Sequence, residues 1–237
     1  FPILMNVYPM KRLIKNIITI ILVLVVFDYT VGSILEEILI KSPDGRYYKA
    51  YHSLLETTDD IIVFGSSRAE TNYAPFVFQD SLNLSCWNTG RGGQTLPFWY
   101  AMQKGILSRY TPKIAIVNVE REFLSINLDS DSYDRAGFLR PFYNLQPEIK
   151  PIINKISKFE QFKMFSKIYA YNSSFYYLLR PYFVKNIDGK RSDKGWKTSQ
   201  SVVLDQNLDL QIIESNNDLN DETISLFEKF IKNLTNK

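Results

Sequence analysis

The chemistry-bearing stretch of this 237-residue chain is residues 60–68, DIIVFGSSR, where an apolar run ends on Gly65 and opens onto two serines. A short apolar run bounded by turn residues reads as a buried strand, and ligands of open α/β sheets collect at the carboxyl ends of strands. Ser67 stands at such an end. A serine at a strand-to-helix junction offers a hydroxyl nucleophile and its own backbone N–H as a donor toward an oxyanion, and Gly65 permits the tight turn between them. Taken alone, Gly-Ser-Ser is also ordinary loop composition after any strand. A second cluster follows about twenty residues later, where residues 88–95 read Asn-Thr-Gly-Arg-Gly-Gly-Gln-Thr after a short strand predicted over 84–88. Arg68 and Arg91 flank these motifs, either as ligands for an anionic substrate group or as solvated surface charge.

Other chemistries are excluded by what the chain lacks. His52 is the one histidine and Cys86 the one cysteine, so there is no zinc cluster and no internal disulfide framework. No residue pattern calls for a metal or another cofactor. His52 precedes the strand by about eight residues, and a five-residue strand separates its ends by about 16 Å. It is expected near the opposite sheet edge, as a structural residue. Cys86, beside Trp87, is expected to be a small buried core residue. The net charge of +3, with scattered Lys and Arg, argues against nucleic acid as a partner.

The elements that must position the serine alternate as in an α/β sheet. A helix is predicted over 47–56, a buried strand over 61–65, a helix over 96–110 and a third buried strand over 114–119, which implies parallel strands with crossovers. Residues 129–199 lose the alternation and are rich in Tyr, Phe, Lys and Pro; they are expected to form an inserted cap within a domain spanning 41–237. A final amphipathic helix carries Ile224, Phe227, Ile231 and Leu234 at helical spacing, and such a helix normally leads to a further strand.

Residues 1–40 form a short stub and an anchor. The run 17–35 has one charge, Asp28, and is long enough to cross the hydrocarbon of a bilayer. A cleaved signal peptide is the alternative, but no small-x-small site follows the run. Residues before Met10 are either upstream translation or part of a longer N-terminus. Lys11, Arg12 and Lys15 before the span, with Glu36 and Glu37 after it, place the N-terminus in the cytoplasm and the globular part outside. Asp28 is expected either at the interface or against a partner helix.

Residues 60–68 and 88–95 together resemble the first two sequence blocks of the SGNH (GDSL-like) hydrolase superfamily, with GSS in place of Gly-Asp-Ser. The GSSR variant resembles the membrane-anchored branch that includes the D-alanyl-lipoteichoic-acid transfer and alginate-acetylation-like proteins. The resemblance covers residues 59–123. It implies a three-layer doubly wound parallel sheet, Ser67 as nucleophile, and Gly93 as the glycine whose backbone N–H helps bind the oxyanion. It departs from the family at the third block, where an oxyanion-hole asparagine is expected after the third strand. Here VNVEREF puts Asn118 inside the strand and Glu122 nearer the expected place, and an ionised glutamate only accepts hydrogen bonds. Glu122 joins Arg68 and Arg91 as a substrate-binding candidate. The family's Asp-x-x-His is absent, because no histidine follows Ser67.

The resemblance implies, for an intact protein, a membrane-anchored extracytoplasmic serine esterase or O-acyltransferase acting on cell-envelope polysaccharide or a related acylated molecule. Its partners would be the bilayer, an acylated glycan and a polytopic membrane O-acyltransferase. This chain would be truncated at its histidine end and catalytically weak. The alternatives are a silent glycan-binding or scaffolding module for such an acyltransferase, and a plain anchored domain whose glycine motifs are only turns.

Overall fold

A computed structural model describes residues 7–184, 190–198 and 218–235. The start of the N-terminal stub and positions 185–189 and 199 of the expected cap lie outside the described residues. In chain order the helices are α1 (Val7–Ile40), α2 (Arg46–Tyr51), α3 (Ser67–Asn72), α4 (Pro75–Leu82), α5 (Leu96–Leu107) and α6 (Arg121–Leu124). They continue as α7 (Ser130–Ala136), α8 (Lys150–Ile153), α9 (Glu160–Lys163), α10 (Phe175–Phe183) and α11 (Asp221–Thr235). Three strands, β1 (Ile61–Phe64), β2 (Cys86–Asn88) and β3 (Ile114–Val117), form a parallel sheet in the order β2-β1-β3. The protein is a mixed α/β fold with a small three-stranded parallel sheet and one long apolar N-terminal helix.

Alternation along β1 explains how the sheet is covered. Ile62 and Phe64 face the main core with Phe98, Trp99 and Met102 of α5 and Phe230 of α11. Ile61 and Val63 face the other side with Ala69 of α3, Cys86, and Phe78 of α4. All four β1 residues are buried, as expected of a strand covered on both faces. The expectation of a third buried strand needs correction, since β3 is only half-buried and Ile114 is exposed. Among the described residues no strand pairs with the outer side of β3, whereas the other edge strand, β2, is covered by Phe78 of α4 and by the Lys194 carbonyl, which accepts the Asn88 N–H at 3.0 Å.

The predicted helix over 47–56 is continuous but widens after Tyr51 into a π-type turn, His52–Glu56. Arg109 holds that turn, donating to the carbonyls of Leu54, Ser53 and Thr57 at 2.6, 3.3 and 3.1 Å. Described residues of the expected cap pack into the main core. Tyr133, Leu139, Phe142, Ile149 and Ile153 belong to the same buried cluster as α5.

The N-terminal helix is longer than the predicted span of 17–35. Over Met10–Ile40 it is long and apolar enough to cross a membrane. From Met10 to Phe27 its side chains are exposed, and beyond Phe27 it docks on the globular part, with Leu35 and Leu39 buried. Asp28 therefore has a partner within its own chain. Its carboxylate accepts from Ser166 Oγ at 2.5 Å and from the N–H groups of Lys167 and Ile168 at 2.8 and 3.2 Å. Gly32 makes the approach possible, because a Cβ there would lie 2.2 Å from Lys167 Cβ.

Candidate functional site

Two loops at the carboxyl ends of β1 and β2 are knitted into one piece. The short helix α3 leaves C-terminal carbonyls without helical partners, which must be satisfied elsewhere. Asn88 Nδ2 donates to the Ala69 and Tyr73 carbonyls at 2.7 and 2.9 Å, and Asn88 Oδ1 accepts the Gly90 N–H at 2.8 Å. Trp196 Nε1 donates to the Thr71 carbonyl at 2.7 Å and the Lys197 N–H to the Glu70 carbonyl at 3.0 Å. From the other direction Thr89 Oγ1 donates to the Val63 carbonyl at 2.6 Å, and the Arg91 N–H to that of Gly65 at 3.1 Å. Gly65 has φ +145°, and a Cβ there would sit 2.7 Å from Ala69 Cβ and 3.0 Å from the Asn118 carbonyl oxygen. Only glycine fits both the backbone angle and the space.

This scaffold brings Ser67 and Gly93 into one open cleft of about 450 Å³. Ser67 is exposed as the first residue of α3, while Ser66 beside it is buried. Among the described residues, neither the Ser67 nor the Gly93 N–H donates a hydrogen bond within the protein. Gln94, Thr95, Phe123, Ile126, Asp129 and Arg135 complete the walls that matter here. Arg135 Nη1 donates to the Gly93 carbonyl at 2.8 Å, which fixes the orientation of the glycine loop from the α7 side. Asp129 caps α7 by accepting the Ser132 N–H at 2.9 Å, and that bond holds its carboxyl below the usual range. A larger depression of about 680 Å³ lies between α7 and α11 and shares Asp129 with the Ser67 cleft. Neither Ser66 nor Ser67 lines it.

The other candidates fall at different places. Arg68 is exposed beside the junction and pairs with Glu120 at 3.3 Å, and Glu120 also accepts from Ser66 Oγ at 3.1 Å. Glu120 thus approaches the Gly-Ser-Ser turn. Glu122 is exposed on α6 and does not line the cleft. Arg91 lines a small internal cavity with Arg46, Lys49 and Phe138, its guanidinium 3.6 Å from the centre of the Phe138 ring. Burial, with the charge of Arg46 adding to it, pulls Arg91 down to about 10. His52 hydrogen-bonds Glu56 at 2.8 Å and packs on the Trp87 ring, away from the residues of the cleft. Cys86 is buried, and that burial pushes its thiol up to about 12. Among the described residues no group of His, Cys, Asp and Glu could hold a metal ion.

Residues that sequence reasoning missed are Glu120, Asp129, Asp131, Ser132 and Arg135. Asp129 three positions before Ser132 is a legible helix N-cap pattern. Nothing in the spacing showed that this cap faces Ser67. No protein-family model, curated protein or solved structure matches the chain.

Proposed function

We propose that the chain is a membrane-anchored SGNH-like module whose Ser67 attacks the acyl carbonyl of an acylated envelope glycan or a related ester. Ser67 Oγ bonds to the acyl carbon while the N–H groups of Ser67 and Gly93 receive the developing oxyanion. The bond from that carbon to the glycan oxygen then breaks, and the glycan leaves as a free hydroxyl carrying the serine's proton. The acyl group passes from Ser67 to water or to an acceptor hydroxyl, returning a proton to the serine. The shared cleft of Ser67 and Gly93 carries this reading. The strand order β2-β1-β3, with one motif after β1 and the other after β2, is what a doubly wound three-layer sheet would contain at its centre. Lys11, Arg12 and Lys15 support an extracytoplasmic globular part, and a polytopic O-acyltransferase is the partner such an anchor would serve.

A second reading, a silent module that binds glycan without turning it over, is favoured by the groups around the serine. No imidazole lines the cleft, Asp129 is engaged as a helix cap, and Glu120 is engaged by Ser66 and Arg68. A general base usually contributes roughly 10² to 10⁴ in rate. Full chain in detergent, treated with a fluorophosphonate probe, is expected to label slowly at Ser67, with aryl-ester turnover well below that of ordinary esterases. A Ser67→Ala variant that labels equally refutes the serine chemistry. Glycan binding without labelling selects the silent module.

A further inference from the structure

We propose that Phe159, Phe162 and Phe165 form an aromatic seat that enters the lipid interface beside α1, so that the globular part rests on the bilayer surface. The inference rests on reading α1 as a membrane span. Exposed side chains of α1 run from Met10 to Phe27, but Lys11, Arg12 and Lys15 occupy its first turns at headgroup level. The uncharged exposed stretch from Asn16 to Phe27 is therefore about 18 Å at 1.5 Å per residue, shorter than the hydrocarbon of a bilayer, which draws the docked end of the helix down to the lipid. Asp28 follows at the boundary, and its carboxylate binds Ser166, Lys167 and Ile168. Lys167 Nζ continues outward along α1 to Ser33 Oγ at 3.0 Å and Glu36 at 2.7 Å. Residues 166–168 are therefore fixed at the height where the apolar surface of α1 ends.

The three rings lie immediately before that joint. Phe159, Phe162 and Phe165 are 66%, 66% and 78% exposed, and the last two are in contact at 6.3 Å between ring centres. Their exposure is built in. Glu160 between them is completely buried and bonded to Arg140, Ser157 and Tyr169, and Met164 is buried as well. The segment is pinned from inside and has no freedom to turn its rings into the core. Lys158 is exposed beside them, placed for headgroup phosphates. An apolar face of this kind sinks about 5–10 Å into the headgroup boundary. Phe183 supplies the contrast. It is 82% exposed, yet its neighbour Tyr182 reaches the Ile38 carbonyl, ten residues beyond Asp28 and about 15 Å further along the helix.

The test uses the full chain in single-copy lipid nanodiscs, with Cys86→Ala removing the one native thiol. A fluorophore is placed in turn on Ile21→Cys, Phe165→Cys and Phe183→Cys, and is challenged with phosphatidylcholine spin-labelled near the headgroup or deep in the chain, and with aqueous iodide. Position 21 should be quenched by the deep label. Position 165 should be quenched by the shallow label several-fold more than position 183, which iodide should reach. Phe162→Cys reports the same surface should the label at 165 perturb folding. A lipid-quenched position 21 with an iodide-accessible 165 overturns the seat and leaves the span. Iodide access at 21 overturns both. A position 165 shielded from iodide and not quenched by either lipid label means protein covers the rings, and also overturns the seat.

Discussion

Glu70 Oε2 accepts the Gly92 N–H at 2.8 Å, a side-chain bond that ties the helix bearing Ser67 directly to the loop bearing Gly93. The other oxygen of Glu70 takes Lys49 Nζ at 3.2 Å, and the same ammonium group donates to the Gly90 carbonyl. An internal lysine thus joins both motifs from below. This arrangement fixes the distance between the two candidate oxyanion donors without involving the cleft surface itself.

The state of Lys49 makes stability depend on pH. Burial pulls its ammonium down to about 8, against the opposing pull of Glu70. The unfolded side chain titrates near 10.4. Between these values the unfolded chain binds more protons, so this group's contribution rises with pH from about 8 toward 10, by on the order of 3 kcal/mol in full. Cys86, raised to about 12, works in the opposite direction above about 9. Urea denaturation at pH 7.5, 8.5 and 9 should give a steeper gain for the native chain than for Lys49→Met. Equal slopes would mean that Lys49 keeps its ordinary titration.

Gly65→Ala is expected to damage the site from within. The new methyl would need both a left-handed backbone angle and space already taken by Ala69 and Asn118. The cost should be roughly 2–4 kcal/mol, as for other residues forced into that region with a clash. A lowered denaturation midpoint, with loss of whatever Ser67-dependent labelling the native chain shows, is the expected pair of results. A fully stable Gly65→Ala chain would contradict the close packing of the Gly-Ser-Ser turn.

Asp28→Ala should loosen the joint between α1 and the globular part. Ser166 Oγ and the N–H groups of Lys167 and Ile168 would lose their acceptor. At this half-buried joint the cost should fall toward the low end of the roughly 1–3 kcal/mol of a fully buried unpaired donor, about 1–2 kcal/mol. Hydrogen exchange on the chain in nanodiscs should show the 167 and 168 amides exchanging about 10- to 100-fold faster, with β1 amides changing less. Unchanged protection at 167 and 168 would mean that the joint does not depend on Asp28.

Much of the central sheet was legible because β1 is a short apolar run that ends on a glycine, and such a run has few other ways to fold. The pairing of the Ser67 and Gly93 loops was also readable, since consecutive parallel strands deliver their carboxyl ends to the same edge. The remaining walls of the cleft were not. Arg135 reaches the Gly93 carbonyl, and Asp129 lines the same cleft, from a segment with no strand period, placed only by tertiary packing. Spacing likewise says nothing about which way a loop arginine turns. Arg68 turns to solvent and Glu120, whereas Arg91 turns inward to Phe138. Asp28 was readable as a costly charge near the end of a span, but its donors lie about 140 residues away in sequence.

The ion pair of Arg140 and Glu160 gives the sharpest energetic test. Glu160 is completely buried; its Oε1 accepts Arg140 Nε at 2.5 Å and Tyr169 OH at 3.1 Å, and its Oε2 accepts Ser157 Oγ at 3.0 Å. Burial alone would raise this carboxyl, but the bond and the charge of Arg140 outweigh it and hold it below the usual range. A depressed carboxyl contributes stability above its unfolded value, near pH 4.3, and loses it as pH falls through the lower folded value. Arg140→Met removes the buried partner and leaves the buried carboxylate facing only the half-exposed Lys163 ammonium at 3.4 Å, which should cost about 3 kcal/mol at pH 7, the low end of the range for a broken buried pair. Burial then dominates, so the Glu160 carboxyl rises and the protein of this variant binds a proton there at higher pH than its unfolded chain does. Arg140→Met and Glu160→Met together leave neither charge, and should recover most of the loss. Urea denaturation of the four chains at pH 7 and pH 5 gives the coupling directly. An Arg140→Met cost under about 1 kcal/mol, the range of a solvent-exposed pair, would show that the segment carrying Phe159, Phe162 and Phe165 is not held by this pair.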